Sequence, residues 1–211
     1  TLDLPGIGSL GDVLKSIVIV TFCLEALGAL GLYAAWRGSF GDARGLYLAL
    51  FHSISAFNNA GFSLFPDNLM SFVGSPIVNL VVPVLIIVGG LGFPVWIGVA
   101  HWIGWPPHLR GPRPVTSLHL RMVLVTSAVL ITAGMVLFLA LEWRHSLAPL
   151  SLGEKLWAGW FQSVTPRTAG FNTVNIGELA TPVIIFMLFL MFIGASSGST
   201  GGGIKTSTFA I

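Results

Sequence analysis

Long apolar stretches alternate with short ones along this chain, and the alternation runs through twice. Val13 to Trp36 is apolar over about the 20 residues needed to cross a bilayer core, interrupted only by Lys15 and Glu25. A charged stretch with Arg37, Asp42 and Arg44 follows and reads as a loop. Leu46 to Phe57 is apolar again but too short to span, which suits a re-entrant segment. After the turn-rich stretch 63–75, Pro76 to Trp105 forms a second span. Gly89-Gly-Leu-Gly-Phe-Pro94 predicts a kink within it. Pro106 to Pro114 is the clearest linker. Then the order recurs: a span over Leu118 to Glu142, a short apolar segment over Trp157 to Val164, and a last span that begins with Thr181 to Ile193. That span runs into a polar, glycine-rich stretch.

The recurrence is literal at its centre. Phe51-His-Ser-Ile-Ser55 echoes Phe161-Gln-Ser-Val-Thr165, offset by 110 positions, and Ala60-Gly61-Phe62 echoes Ala169-Gly170-Phe171, offset by 109. An internal repeat governs the reading of everything around it. The repeated unit is a span, a short helix ending in a glycine turn, and a second span. The organisation is therefore a repeat over 13–105 with a pore loop at 46–62, a cytoplasmic linker at 106–117, and a repeat over 118–211. The second repeat has a pore loop at 153–171 and a glycine-rich intramembrane loop at 194–206. The fold class expected is all-α membrane protein.

Composition agrees. Only 9% of the 211 residues are charged, against about a quarter in a soluble domain, and mean hydropathy is +0.87. The chain lacks the polar surface to face water all round. A net charge of +2 is too small to imply nucleic acid, and the single Cys23 permits no intrachain disulfide. With no initiating Met and an apolar last segment, the chain reads as an internal piece of a longer polypeptide. Arg110, Arg113 and Arg121 lie in a stretch with no acid, so the positive-inside bias puts 105–121 in the cytoplasm and both short segments open outward.

Such a turn suits a cation. A dehydrated cation needs oxygens in place of its water shell, and backbone carbonyls supply them without a permanent charge. Turning successive carbonyls to one side requires backbone that glycine adopts cheaply. The candidate ion ligands are Asn59, Ala60, Gly61 and Phe62, with Thr168, Ala169, Gly170 and Phe171. Side chains of Asn58, Asn59 or Thr168 are placed to fix the strands from behind, and Phe62 and Phe171 to pack outward as wedges. Arg167 beside the second turn would repel a cation if it faced the pore, so it is expected to point away and pair with an acid or carbonyls. Glu25 has no partner that sequence can name.

In the last span, five glycines between Gly194 and Gly203 argue against a continuous helix, each costing roughly 1 kcal/mol relative to Ala. Two readings stand: an intramembrane gate loop, with Gly198, Ser199, Thr200, Gly201, Gly202, Gly203 and Lys205, or a GxxxG helix crossing. Lys205 either adds positive charge at that gate or snorkels from a resumed helix. Gly194-Ala-Ser196-Ser-Gly198 also fits a nucleophile elbow, which would make the protein an intramembrane hydrolase using Ser196 with His101 or His119. That motif needs an α/β sheet that nothing here supplies. A non-conducting structural subunit is the remaining alternative.

Three segments in order, Phe51 to Ser63, Thr165 to Thr173 and Gly198 to Thr206, resemble the TrkH/TrkG/KtrB potassium-uptake superfamily. Leu118-His-Leu-Arg121 leans towards the KtrB branch. The resemblance covers essentially the whole chain. It implies a K+-channel-like fold of four span–pore-loop–span repeats in one subunit, of which this chain resembles the second and third. It further implies that the two turns are half of one selectivity filter, that the glycine-rich loop gates it, and that no enzyme activity or cofactor is involved. K+ is then the substrate and Na+ a possible activator. The implied partners are membrane lipid, the remaining repeats, a second copy in a homodimer, and a cytoplasmic nucleotide-binding subunit like KtrA or TrkA.

Overall fold

The computed structural model describes residues 10–103 and 118–209. Their regular structure is helical apart from one β-bridge between Ile193 and Ile204. Eight helices follow one another: α1 (Leu10–Phe40), α2 (Asp42–Phe57), α3 (Pro76–Leu91), α4 (Phe93–Ile103), α5 (Leu118–Glu142), α6 (Leu152–Val164), α7 (Thr181–Phe192) and α8 (Thr206–Phe209). The expected linker, with Arg110 and Arg113, lies outside the described residues.

In the first repeat the expected charged loop is absent. Helix α1 continues through Arg37, and α2 starts at Asp42 after a single non-helical residue, Gly41, at φ 77°. Glycine alone takes that left-handed turn without strain, and Tyr33 Oη donating to Asp42 Oδ1 at 2.8 Å ties the two helices. Helix α2 then runs back along α1: Gly45 packs on Arg37, and Gly28 on Ser53. Its 16 residues reach about 24 Å. It ends opposite Glu25, midway along α1, where Ser53 Oγ donates to the Glu25 carbonyl at 2.6 Å. The short apolar segment is thus a helix that stops about halfway along α1.

Helix α3 starts from a Ser75 cap with Pro76 in its first turn and packs down α1, with Gly31 against Val81 and Gly28 against Leu85. The expected kink is a full break. Gly92 at φ 82° separates α3 from α4, and the two helices bend by 97°. Pro94, whose ring cannot continue a helix that began upstream, follows at once.

The second repeat copies the first. Helix α5 is long and apolar enough to cross a membrane, as is Leu14–Phe40 of α1. Helix α6 opens on a capping box, in which Glu154 N donates to Ser151 Oγ and Ser151 N to Glu154 Oε2 at 2.8 Å. These bonds hold the Glu154 carboxyl below its ordinary range, the backbone Ser151 N–H contributing most. Gly134 packs on Ser163 as Gly28 does on Ser53, so one small residue per span admits the short helix closely. Helix α7 begins where Ala180 N donates to the buried carboxylate of Glu142 at 2.8 Å.

One core binds the repeats together. Trp36, Leu48, Phe57, Val82 and Ile86 of the first pack with Phe161, Val164 and Phe171 of the second. Outside, Leu69 N donates to the Asn172 carbonyl at 3.1 Å, joining the two outgoing loops.

Candidate functional site

Helices α2 and α6 both end at a turn of the same conformation. Asn59 (φ 52°) and Gly61 (φ 70°) flank Ala60 in the left-handed region, and Thr168 (φ 76°) and Gly170 (φ 86°) flank Ala169. Asparagine tolerates this region, but a β-branched threonine is a true outlier there. Such strain, of order 1–3 kcal/mol, collects at functional sites. The same bonds hold each turn. Ala60 N donates to the Ser55 carbonyl at 2.9 Å, and Ala169 N to the Thr165 carbonyl at 3.0 Å. The side chains of those two residues then reach forward: Ser55 Oγ donates to the Phe62 carbonyl at 2.9 Å, and Thr165 Oγ1 to the Phe171 carbonyl at 2.6 Å. Ser55 and Thr165 are absent from the expected site. Their signal was the hydroxyl that closes each echo segment.

The N–H groups of Asn59, Ala60, Ala169 and Gly170 turn back to the ends of the helices, and the carbonyls of 59–61 and 168–170 accept no hydrogen bond from the described residues. The turns adjoin, since a Cβ on Gly61 would lie 2.1 Å from the Ala169 carbonyl oxygen. Each also sits at a helix C-terminus, the negative end of the macrodipole. Chemically this is a cluster of neutral oxygens in a field that favours positive charge.

The surrounding side chains divide. Asn58 Nδ2 donates to Glu25 Oε1 at 2.9 Å, which gives Glu25 a partner within its own repeat. Arg167 Nη2 points away to Ser127 Oγ (3.3 Å) and the Gly194 carbonyl (3.5 Å), and no acid is bonded to it among the described residues. The two turn phenylalanines differ: Phe62 is 69% exposed, but Phe171 is buried, its ring 6.3 Å from that of His52. The difference arises because Phe171 packs onto the first repeat's core.

The glycine-rich segment is a loop, not a helix crossing. Gly194 N donates to the Ile204 carbonyl and Ala195 N to that of Gly202, closing the loop on itself. It lies directly against the α3–α4 break. Ser196 N and Thr200 N donate to the Gly90 and Gly89 carbonyls, which the end of α3 leaves without helical partners, and Phe93 N donates to the Gly198 carbonyl. Thr200 Oγ1 donates to the Phe57 carbonyl at 3.0 Å and accepts from Asn59 Nδ2 at 2.7 Å. Gly201 abuts Thr168 Oγ1. Lys205 Nζ turns back to the Gly201 carbonyl at 2.9 Å. Ser199, Gly202 and Gly203 complete the loop, Gly203 left-handed at φ 72°. Ser196 Oγ donates to the Ser197 carbonyl at 3.4 Å, and no histidine bonds it among the described side chains. Among the described residues no strand leads into the Ser196 turn, as a nucleophile elbow requires.

Tandem spans, each followed by a half-depth helix ending in a left-handed glycine turn, define an all-α membrane protein of K+-channel-like architecture. Residues 5–211 match the family described as TrkH, cation transport protein, and the chain belongs to it. It is 43% identical to the Ktr system potassium uptake protein B of Bacillus subtilis over all of its length and 46% of that protein's. It is 44% identical to the protein of that name from Vibrio alginolyticus, over 96% of this chain and 44% of the relative. To the potassium/sodium uptake protein NtpJ of Enterococcus hirae it is 36% identical, over 94% of this chain and 42% of the relative. In fold it matches the crystal structure of the potassium transporter TrkH from Vibrio parahaemolyticus at a TM-score of 0.72 and 22% identity, over 99% of this chain and 42% of that one. The chain spans less than half the length of these relatives.

Proposed function

We propose that this chain supplies two adjacent quarters of a potassium-uptake pore. The observation that carries the reading is the pair of left-handed turns whose carbonyls, at 59–61 and 168–170, take no donor among the described residues. Potassium sheds water for these oxygens, and the C-termini of α2 and α6 favour it electrostatically. Gly61 and Gly170 allow the backbone shape, while Ser55 and Thr165 hold its outer end. The loop 194–206 lies beneath the turns and gates the path, held shut through Thr200. Each charge moving inward across 100 mV gains about 2.3 kcal/mol, so the potential drives uptake without a cofactor.

The relatives' names support potassium as substrate, and that of NtpJ supports sodium as a second ion. The full polypeptide closes the pore with its remaining repeats in the inner membrane, the turns facing outward. It works as a homodimer with a cytoplasmic nucleotide-binding subunit. The test is growth rescue of potassium-uptake-deficient cells by the full-length protein, with Gly61→Ser and Gly170→Ser weakening potassium over sodium discrimination. Unchanged selectivity in both variants would sink the assignment.

A further inference from the structure

Helix α2 grips the outgoing strand of the first turn at two levels, and the second level is a histidine. His52 is wholly buried, three residues before Ser55 on α2. Its Nδ1 lies 2.7 Å from the Leu48 carbonyl, which can only accept, so Nδ1 carries the proton. Its Nε2 lies 3.3 Å from the Leu64 backbone N–H, which can only donate, so Nε2 is a bare acceptor. The surroundings settle the tautomer from both sides.

The same nitrogen meets Ser63 Oγ at 3.0 Å, and the one proton of that hydroxyl donates either to Nε2 or to the Asn68 carbonyl at 3.1 Å. Asn68 Oδ1 in turn accepts from Asn172 N at 3.3 Å, just beyond the second turn. A chain of polar contacts thus runs from His52 through Ser63 and Asn68 to the strand leaving Gly170 and Phe171. The position matching His52 in the second repeat is Gln162, buried as well, yet neither atom of its amide has a partner among the described residues. The second strand is held from the first repeat's side, by Asn68 and Leu69, which follow the stretch that His52 fixes. Packing fixes the ring itself: Phe65 stacks on it at 4.9 Å, and Trp36 meets it edge-on at 5.0 Å.

We propose that His52 is a positioning residue for ion discrimination, holding the outer end of the first turn through Nε2 as an acceptor. This rests on the reading of the turns as ion ligands. A residue that only packs is best replaced by another aromatic ring; one that acts through Nε2 is best replaced by an amide whose oxygen reaches the same place. The two roles therefore rank the same two variants in opposite order.

The experiment measures the potassium over sodium preference of the full-length protein as wild type, His52→Phe and His52→Gln. His52→Phe is expected to lose roughly fivefold in preference, the scale of one hydrogen bond, and His52→Gln to stay close to wild type. Phe as selective as wild type, or Gln worse than Phe, overturns the proposal. Should His52→Phe fail to reach the membrane, nitrogen-15 NMR of the histidine-labelled wild type decides, with His52→Gln identifying the signal. A protonated Nδ1 with bare Nε2 upholds the proposal, and a protonated Nε2 overturns it. A wild type with no potassium preference, or one indifferent to Gly61→Ser, overturns the pore reading instead, and the NMR result still decides the His52 bonds.

Discussion

Asn59 Nδ2 donates to Thr200 Oγ1 at 2.7 Å across 141 positions of sequence. One partner belongs to the first glycine turn and the other to the glycine-rich loop, so the candidate filter and candidate gate share a hydrogen bond. Thr200→Val keeps the shape but removes both this acceptor and the donor to the Phe57 carbonyl. Leaving a buried amide unpaired costs about 1–3 kcal/mol, enough to loosen the loop. We expect higher potassium flux from Thr200→Val in the full-length protein, measured in vesicles. Unaltered flux at equal expression would remove Thr200 from gating.

The two turn glycines, Gly61 and Gly170, are not equivalent. Alanine at either must hold a left-handed conformation, costing roughly 1–2 kcal/mol. A Cβ on Gly61 would also lie 2.1 Å from the Ala169 carbonyl oxygen, whereas one on Gly170 meets nothing closer than 3.7 Å. Gly61→Ala is expected to damage ion selectivity more than Gly170→Ala. Equal damage would show that the crowding between the turns does not matter.

Within the loop, Gly194 and Gly202 make a matched pair for testing gating. A Cβ on Gly194 would sit 1.8 Å from the Gly202 carbonyl oxygen, so the closed arrangement cannot survive Gly194→Ala. Among the described residues nothing lies within 4 Å of a Cβ on Gly202. Flux should rise in Gly194→Ala and stay at the wild-type level in Gly202→Ala. The same flux from both would count against a gate.

Glu142 is a structural carboxylate. It is buried and accepts from Ala180 N, from Ser146 N and from His145 Nδ1. Glu142→Ala strands those donors, at a cost of about 2–4 kcal/mol. The detergent-solubilised protein should melt at a lower temperature, with Glu142→Gln falling in between. Because Glu142 pins the start of α7 and touches neither turn, potassium preference should hold in whatever fraction remains folded.

Much of the architecture was legible from local chemistry. The long apolar stretches mark α1 and α5 as spans, and the echo of Ala-Gly-Phe marks the two turns. Five glycines announce that the last span cannot stay helical. The charged stretch Arg37 to Arg44 misled because charge reads as loop. Two helices can meet at Gly41 alone, with Arg37 and Asp42 both helical. His52 went unnoticed for a related reason: a lone histidine on an apolar helix has no spacing to announce it, and its meaning lies in Ser63, Leu64 and Asn68.

What the chain's own order of residues determined was the two long spans, the short helices and the glycine breaks, because bilayer thickness and glycine's freedom act locally. It could not assign partners. That Glu25 meets Asn58, that Thr200 meets Asn59, and that Phe171 turns inward while Phe62 stays exposed depended on how α1, α3 and α6 pack around α2. A hydrogen bond needs its two atoms within about 3 Å. Between residues more than a hundred positions apart, only the folded chain decides which pairs meet.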